Sequence, residues 1–502
     1  MKNFALFGIF LLSALGCSRQ SPREPVTVTF LDIEYDTPDQ LPGLAQDLQA
    51  FTQETGIRVR RLPRPEGSLN QLAMWRELLQ KGGVTPDVYG IDVIWSGIFS
   101  QYFLDLKPDF AAELSSQHPV VAASYTLAGK LVAIPHHAYV GVLMYRPDLL
   151  RKYGFREPPK TWDELETMAT RIQAGERAKG QKDFWGYVWQ GGLSEDLTCA
   201  GLEWQISEGA GRIIEDDRTI SINNPQTIRA WQRARRWIGS ISPPGVVAYE
   251  KWDAENAWRS GKAAFHRAWV SDYSLISVHT PPSNATAFGV TSLPGGSAGR
   301  ADTLGGNGLA VSRTSAHPRE AIDLIRFLQR RDTHLMRVNA NSESPKQQEL
   351  YDLPDILEPY PRIARSKQNP GRVVARPSIV SGEKYEDVSR AYIRTLHSVL
   401  IGEEIPSEAA VALEKELIQI TGFKPGSPSK GVWPDKAQYS KVGGSVGQNS
   451  FSPSSIRVCA LTMERASDES NRSARCSANL VDGRNNLAIA LLTCIVSISV
   501  PA

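Results

Sequence analysis

The first part of the chain alternates between short β-branched runs and segments with apolar residues at helical spacing. The β-branched runs predict strands at Val26–Leu31, Ile57–Leu62 and Asp87–Ile94. Apolar positions three and four apart predict helices at Leu44–Thr55 and Leu69–Leu79. This strand–helix–strand–helix–strand order predicts an α/β fold with a parallel sheet and helical crossovers.

Later segments continue the α/β pattern. Thr161 and Glu164 form a capping box that predicts the start of a helix. The glycines of 303–312 predict a turn that leads into a strand. The remaining predicted elements are a strand at Val140–Tyr145 and helices at 317–331, Tyr385–Leu400 and Ser407–Thr421.

The two ends of the chain differ from its body. Lys2, a short apolar run and the sequence Ala14-Leu15-Gly16-Cys17 predict a lipoprotein signal over residues 1–17, with Cys17 as the lipidated residue. Residues 18–25 form a polar tether. Residues 426–502 are mostly polar and aperiodic, which predicts a disordered tail. The apolar stretch Leu487–Val500 is shorter than the ~20 residues of a membrane-spanning helix.

Composition narrows the class of protein. The 502 residues suffice for two or three domains, and 41% hydrophobic with 22% charged residues is typical of a globular protein. The net charge of +2 gives no support for nucleic-acid binding. Cys199 is the only cysteine between residues 26 and 425, so no disulfide framework is predicted there. Neither a metal nor another cofactor is indicated.

Five candidate ligand contacts follow predicted strands. Ligands of open α/β sheets bind beyond the carboxyl ends of the strands. Those positions hold Asp32, Glu34, Tyr35, Asp92 and Trp95.

Three features of the sequence bear on a catalytic function. Residues 295–299 fit the GxSxG pattern, but no helical period follows, so a loop is predicted. His136 and His137 are adjacent, and neighbouring side chains of a regular strand point apart, which favours ordinary polar contacts over a metal site. A carboxylate pair for glycoside hydrolysis stays open, because it needs only proximity in space.

Several stretches resemble the extracellular solute-binding proteins of bacterial sugar ABC transporters, most closely their trehalose/maltose-binding branch. The resemblance covers about residues 26–423. It is carried, in order, by 85–95, 141–154, 158–162, 184–191, 260–265 with Trp269, 304–306 and 375–377.

The resemblance implies a two-lobe periplasmic-binding-protein type II fold with a ligand cleft between the lobes. The N-terminal lobe would combine 26–136 with 304–336. The C-terminal lobe would combine 137–303 with 337–425.

The resemblance also implies ligand-binding residues. Asp92 would accept hydrogen bonds from sugar hydroxyls, Trp269 would stack on a pyranose ring, and Arg376 would donate to the sugar. The other implied contacts are Trp95, His137, Tyr139, Gly306 and Asn307.

Three of these positions depart from the branch. Tyr139 stands where an aspartate is usual, His137 where an aromatic residue is usual, and Asn307 where a tryptophan follows the Gly-Gly pair. A maltose or trehalose ligand bound in the usual way is therefore not expected.

The implied function is that of a non-enzymatic, substrate-binding lipoprotein of an ABC importer. It would act as an exported, lipid-anchored monomer that captures a di- or oligosaccharide and delivers it to membrane permease subunits. Two alternatives stay open: the same fold binding a polyol or a sugar phosphate, and a secreted glycoside-acting enzyme. Two cleft carboxylates about 5–10 Å apart would favour the enzyme.

Overall fold

The computed structural model describes residues 25–33, 42–65, 68–81, 86–270, 288–330, 332–333 and 372–428. The predicted signal with Cys17, the candidates Glu34 and Tyr35, and residues 429–502 of the predicted tail lie outside these ranges. So does the predicted lobe boundary at residues 336 and 337.

The described residues form helices and strands in alternation along most of the chain. The strands are β1 Thr27–Leu31, β2 Arg58–Arg61, β3 Val88–Asp92, β4 Thr126–Leu127, β5 Lys130–Leu131, β6 Ile134–Tyr145, β7 Trp185–Val188, β8 Thr219–Ile220, β9 Ala263–Trp269, β10 Gly289–Thr291, β11 Ala301–Val311, β12 Arg372–Val374 and β13 Lys424–Pro425. The α-helices are α1 Pro42–Thr55, α2 Ser68–Lys81, α3 Ser96–Phe99, α4 Lys107–Ser115, α5 Pro119–Ser124, α6 Pro147–Lys152, α7 Trp162–Ala178, α8 Glu195–Ser207, α9 Pro225–Trp237, α10 Lys251–Arg259, α11 Pro318–Leu328, α12 Ser378–Ser381, α13 Tyr385–Ile401 and α14 Pro406–Thr421. Short 3-10 turns occupy Val93–Trp95, Ser100–Tyr102, Pro244–Ala248 and Gly382–Lys384.

Most of the predicted elements are confirmed within a few residues. The first three strands and two helices are present, and Thr161 with Glu164 forms the predicted capping box of α7. The predicted Gly-rich turn at 303–312 is wrong. Residues 303–311 belong to the eleven-residue strand β11, because neighbouring strands on both sides satisfy its backbone hydrogen bonds.

Among the described residues, the main sheet contains nine strands in the order β2-β1-β3-β11-β6-β9-β7, with β10 on β6 and β12 on β11. The pairs β1–β2, β1–β3 and β7–β9 are parallel, as the crossover helices require. The central pair β6–β11 is antiparallel.

The large hydrophobic cores divide the molecule into two α/β lobes. One core includes β1, β3, α1, α2 and α11, and the other includes β7, α7, α8, α9, α13 and α14. The long strands β6 and β11 contribute to both. Ile134 and Leu304 belong to the first core, whereas Leu143 and Ala301 belong to the second. These two strands therefore cross between the lobes.

The described chain ends against the second lobe. Strand β13 pairs with β8, and the Gly426 amide donates to the Ile220 carbonyl at 2.9 Å. The predicted start of the tail, residue 426, is thus hydrogen bonded to the body. No helix within the described ranges is both long and apolar enough to cross a membrane.

Candidate functional site

The candidate site lies where the crossing strands meet the ends of β3 and β9. Asn307 on β11 pairs with Asp92 of β3 on one side and with His137 of β6 on the other. Gly306 has a φ of +131°, and a Cβ there would lie 2.9 Å from the Ala138 Cα. A residue without a side chain is therefore required beside Asn307.

The two adjacent histidines do not point apart as the sequence predicted. The ring centroids of His136 and His137 lie 4.3 Å apart, and both side chains are buried. The register explains the difference: Asn307 faces His137, Gly308 faces Pro135, and His136 falls in the irregularity between them. Such a bulge redirects side chains that a regular strand would place on opposite faces.

Asp92 ends β3 and caps the turn that follows. Its Oδ1 accepts a hydrogen bond from the Ile94 amide at 3.1 Å. Burial raises the pKa of Asp92 above its ordinary value, the guanidinium of Arg376 opposes that shift, and the carboxylates Glu195 and Asp196 add to it. Asp92 is therefore an acceptor in a low-dielectric site with other carboxylates near it.

Arg376 connects the end of β3 with the beginning of α8. Its Nη1 lies 3.0 Å from Glu195 Oε1, and its Nη2 lies 3.7 Å from Asp92 Oδ1. Nη2 also donates to the Leu304 carbonyl at 3.3 Å. The Arg376 side chain is only 5% exposed, so these contacts hold it in one orientation.

Glu195 is a site residue that the sequence analysis missed. Oε1 accepts from the Tyr385 hydroxyl at 2.5 Å as well as from Arg376, and Oε2 accepts from the Ser389 hydroxyl at 2.5 Å. Tyr385 belongs to the first core, whereas α8 belongs to the second. Glu195 therefore takes part in a polar connection between the lobes.

Trp269 ends β9 and is held by polar and aromatic contacts. Its Nε1 donates to Asp196 Oδ1 at 3.1 Å, and its ring meets the Tyr139 ring edge to face with centroids 5.7 Å apart. The Arg267 guanidinium lies 4.1 Å from the centroid of the indole. A Cβ on Gly305 would lie 2.9 Å from atoms of both rings, so this glycine makes room for the pair.

A buried ion pair lies beneath Trp269. Arg267 Nε and Nη2 donate to Glu203 Oε2 and Oε1 at 3.1 and 2.6 Å, and both side chains are 1% exposed. Burial disfavours the charge of Arg267, but Glu203 outweighs this and raises its pKa. The Thr303 amide of β11 also donates to Glu203 Oε1, at 3.3 Å. This pair fixes β9 against the crossing strand.

The candidate residues differ in their surroundings. Asp92, His137, Tyr139, Trp269, Gly306, Asn307 and Arg376 lie together through the pairings and contacts above. Trp95 lies in the first core, 1% exposed, with its ring 5.9 Å from that of Trp75 and 6.3 Å from that of Phe99. Asp32, another predicted contact, pairs with Arg61 at 3.5 Å. No cluster suited to a metal ion occurs among the described residues.

The residues that sequence reasoning missed are Glu195, Asp196, Glu203, Arg267 and Tyr385. A weak signal existed at Glu195 and Asp196, because adjacent acidic residues are common in the first turn of a helix. That signal indicates a helix start but not a ligand site. The contacts of Glu195 join residues 181 to 194 positions apart, and such pairings leave no local pattern.

The site contains more than one carboxylate, and the sequence analysis took a pair of cleft carboxylates to favour a glycoside-acting enzyme. Asp92 and Glu195 both pair with Arg376, and Asp196 adjoins Trp269. The number of carboxylates therefore does not separate a receptor from a glycoside-acting enzyme. Glu195 already accepts hydrogen bonds on both oxygens.

Comparisons with known proteins resolve the class. Residues 36–333 match the family described as bacterial extracellular solute-binding protein. A probable ABC transporter-binding protein of Deinococcus radiodurans is 40% identical over 375 residues, which is 74% of this chain and 89% of that protein.

Solved structures agree with that assignment. The maltose-bound MalE3 of T. maritima is 31% identical with a TM-score of 0.70, covering 79% of this chain and 100% of its own. The cyclic α-maltosyl-1,6-maltose binding protein of Arthrobacter globiformis shares the fold at 22% identity and a TM-score of 0.66, covering 79% and 99%.

The two-lobe fold with its cleft is that of a solute-binding protein. The chain belongs to the bacterial extracellular solute-binding protein family, and it is an exported solute-binding protein of an ABC transporter. The proteins compared above are binding proteins.

Proposed function

We propose that this chain captures a carbohydrate, a di- or oligosaccharide, and delivers it to the membrane subunits of an ABC importer without turning it over. One observation carries the proposal: an aromatic ring, Trp269, lies in the same site as the acceptor Asp92 and the donor Arg376. Sugars offer C–H faces to aromatic rings and hydroxyl groups to charged planar groups. The likeness to a maltose-bound protein at 31% identity supports the same ligand class.

The proposed contacts are Asp92, His137, Tyr139, Trp269, Gly306, Asn307 and Arg376. Trp95 is left out, because its ring packs against Trp75 and Phe99.

The departures at Tyr139, His137 and Asn307 make the usual binding of maltose or trehalose unexpected. A phenol at 139 replaces a carboxylate, and an amide at 307 donates and accepts where a flat apolar ring is usual. A sugar with different hydroxyl geometry or a longer chain fits this set better.

We also propose that Cys17 carries a lipid that anchors the exported protein at the cell envelope. The support is the sequence Ala14-Leu15-Gly16-Cys17 behind a short apolar run. Labelling cells with a palmitate analogue tests this: wild type should be labelled and Cys17→Ser should not.

A thermal-shift screen of the mature protein against a sugar panel tests the proposed function. A ligand at 100 times its Kd stabilises the folded state by about 2.7 kcal/mol. Analysis of the sugar after incubation tests for turnover, and intact sugar is the expected result. Hydrolysis products would favour the glycoside-acting alternative.

A further inference from the structure

The charged groups around the site bear on which class of carbohydrate the protein binds. Within the described part of the chain, the carboxylates Asp92 and Glu195 lie beside the Arg376 guanidinium, with Glu195 the closer, and Asp196 interacts electrostatically with Asp92. The neighbouring Arg267 is paired with the buried Glu203 and adds no net charge. Among the described residues of the site, carboxylates therefore outnumber guanidinium groups.

The beginning of α8 would ordinarily attract an anion. The amide groups at a helix N-terminus carry partial positive charge and often bind phosphate. Here Glu195 and Asp196 occupy the first turn of α8 with their own carboxylates. A phosphate group at this helix end would have to displace the two carboxylates or lie close to their negative charge. It would also compete with Glu195 for Arg376.

Two buried groups indicate what the ligand must offer in addition. The Tyr125 hydroxyl and the Arg376 Nε have no hydrogen-bond partner among the described residues. Tyr125 interacts electrostatically with Asp92, Tyr139 and Arg376, so it lies beside the same site. Burying such groups without a partner is unfavourable, and a ligand oxygen would relieve that cost.

A sugar hydroxyl satisfies both requirements, because it donates one hydrogen bond and accepts two. Its hydrogen can go to Asp92 or Asp196, and its oxygen can accept from Tyr125 or Arg376. A phosphate carries a charge of about −1.5 to −2 and accepts hydrogen bonds without offering enough donors for the carboxylates.

We propose that this cleft selects unphosphorylated carbohydrates and excludes sugar phosphates, and that Asp196 is a specificity-determining residue for that choice. The proposal rests on the carbohydrate function proposed above. It disfavours the sugar-phosphate alternative that the sequence left open. Asp92 and Asp196 lie on different lobes, so a ligand that donates to both would also hold the lobes together.

Calorimetry with matched pairs tests the proposal on the mature protein. One pair is the carbohydrate that gives the largest thermal shift in the sugar panel with its own phosphate. The others are maltose with maltose 1-phosphate, trehalose with trehalose 6-phosphate, glucose with glucose 6-phosphate, and sorbitol with sorbitol 6-phosphate. We expect each unphosphorylated compound that binds to bind at least tenfold more tightly than its phosphate. A phosphate that binds as tightly as its partner overturns the specificity claim but leaves carbohydrate binding standing. If no compound of either kind binds, the proposed function itself fails, and the specificity claim fails with it.

A charge-removing variant tests the assigned residue. In Asp196→Asn the amide oxygen can still accept from the Trp269 Nε1, so the indole keeps its partner while the charge is lost. Within a pair, we expect the Kd of the phosphate divided by the Kd of the unphosphorylated compound to fall at least threefold. Glu404→Gln, an exposed change between α13 and α14, is the matched control and should keep the wild-type ratio. A full wild-type ratio in Asp196→Asn would overturn the role of Asp196.

Discussion

Arg376 donates a hydrogen bond to Glu195, with 3.0 Å between Nη1 and Oε1, although 181 positions separate the two residues in the sequence. The same guanidinium lies 3.7 Å from Asp92 at the end of β3. A residue of the C-terminal segment thus connects carboxylates from two lobes. A binding protein whose lobes close around a ligand holds that ligand from both sides. Contacts that join the two lobes at the site suit such a closure.

Replacing Arg376 with methionine should damage both stability and binding. The change leaves two carboxylates without their cation, and breaking a buried pair costs about 3–5 kcal/mol. Urea unfolding measures the free energy of unfolding, and calorimetry measures the sugar affinity. The control is Arg390→Met, since the exposed pair of Arg390 with Glu386 is worth about 0.2–1 kcal/mol. If the free energy of unfolding fell by the same small amount in both variants, Arg376 would not contribute to the connection between the lobes.

Replacing Trp269 with alanine should weaken sugar binding while the protein stays folded. Loss of aromatic stacking removes roughly 0.5–1.5 kcal/mol of binding free energy beyond the loss of buried area. Trp95→Ala is the comparison, because this core indole should instead cost about 3–5 kcal/mol of folding stability. Unchanged affinity in Trp269→Ala, measured by calorimetry, would place Trp269 outside the site, and global unfolding would assign it to the core.

Gly141→Ala should loosen the ion pair beneath Trp269. An added Cβ would run into Glu203 Oε1 and would lie 2.8 Å from Arg267 Nη2. Overpacking of this kind costs about 1–3 kcal/mol. In the control Gly245→Ala the nearest atom, Tyr249 Cε1, lies 3.7 Å away, so stability should hold. Equal unfolding midpoints for the two variants in urea would contradict the close fit at Gly141.

The stability of the first lobe should depend on pH through Asp87. Burial opposes the ionisation of Asp87, but hydrogen bonds from Ser315 and Thr29 prevail and lower its pKa. The stabilisation is therefore present above the unfolded pKa of about 3.9, and it is lost as the pH falls through the lower folded value.

Asp87→Asn should accordingly reduce the free energy of unfolding by about 1–3 kcal/mol at neutral pH. Its difference from wild type should shrink as the pH is lowered from about 4 to about 2. Urea unfolding at several pH values measures the difference. A difference that stays constant over this range would show that ionised Asp87 is not the stabilising form.

The sequence predicted most of the elements because their signals are local. The capping box at Thr161 and Glu164, for example, depends on residues within one turn and is present as expected. The glycines of 303–312 led to the wrong prediction of a turn, because glycine is common both in turns and where two backbone segments lie close together. In β11 they make room for the Tyr139 and Trp269 rings and for the backbone of β6.

The site was predictable where residues follow strands and unpredictable where it depends on distant partners. Asp92 follows from its position at the end of β3. Trp95 occupies a similar position, but packing against Trp75 and Phe99 buries it, and a strand-end rule cannot foresee that. Glu195 could not be chosen in advance, since its partners Arg376, Tyr385 and Ser389 lie 181 to 194 positions away in the sequence.

Calorimetric titration of the mature wild-type protein is the decisive test of carbohydrate capture. The titrant is whichever carbohydrate gives the largest thermal shift in the panel. We expect saturable binding at one site, which weakens in both Trp269→Ala and Arg376→Met. The absence of saturable binding to every carbohydrate in the panel, by a protein that unfolds cooperatively, would contradict it.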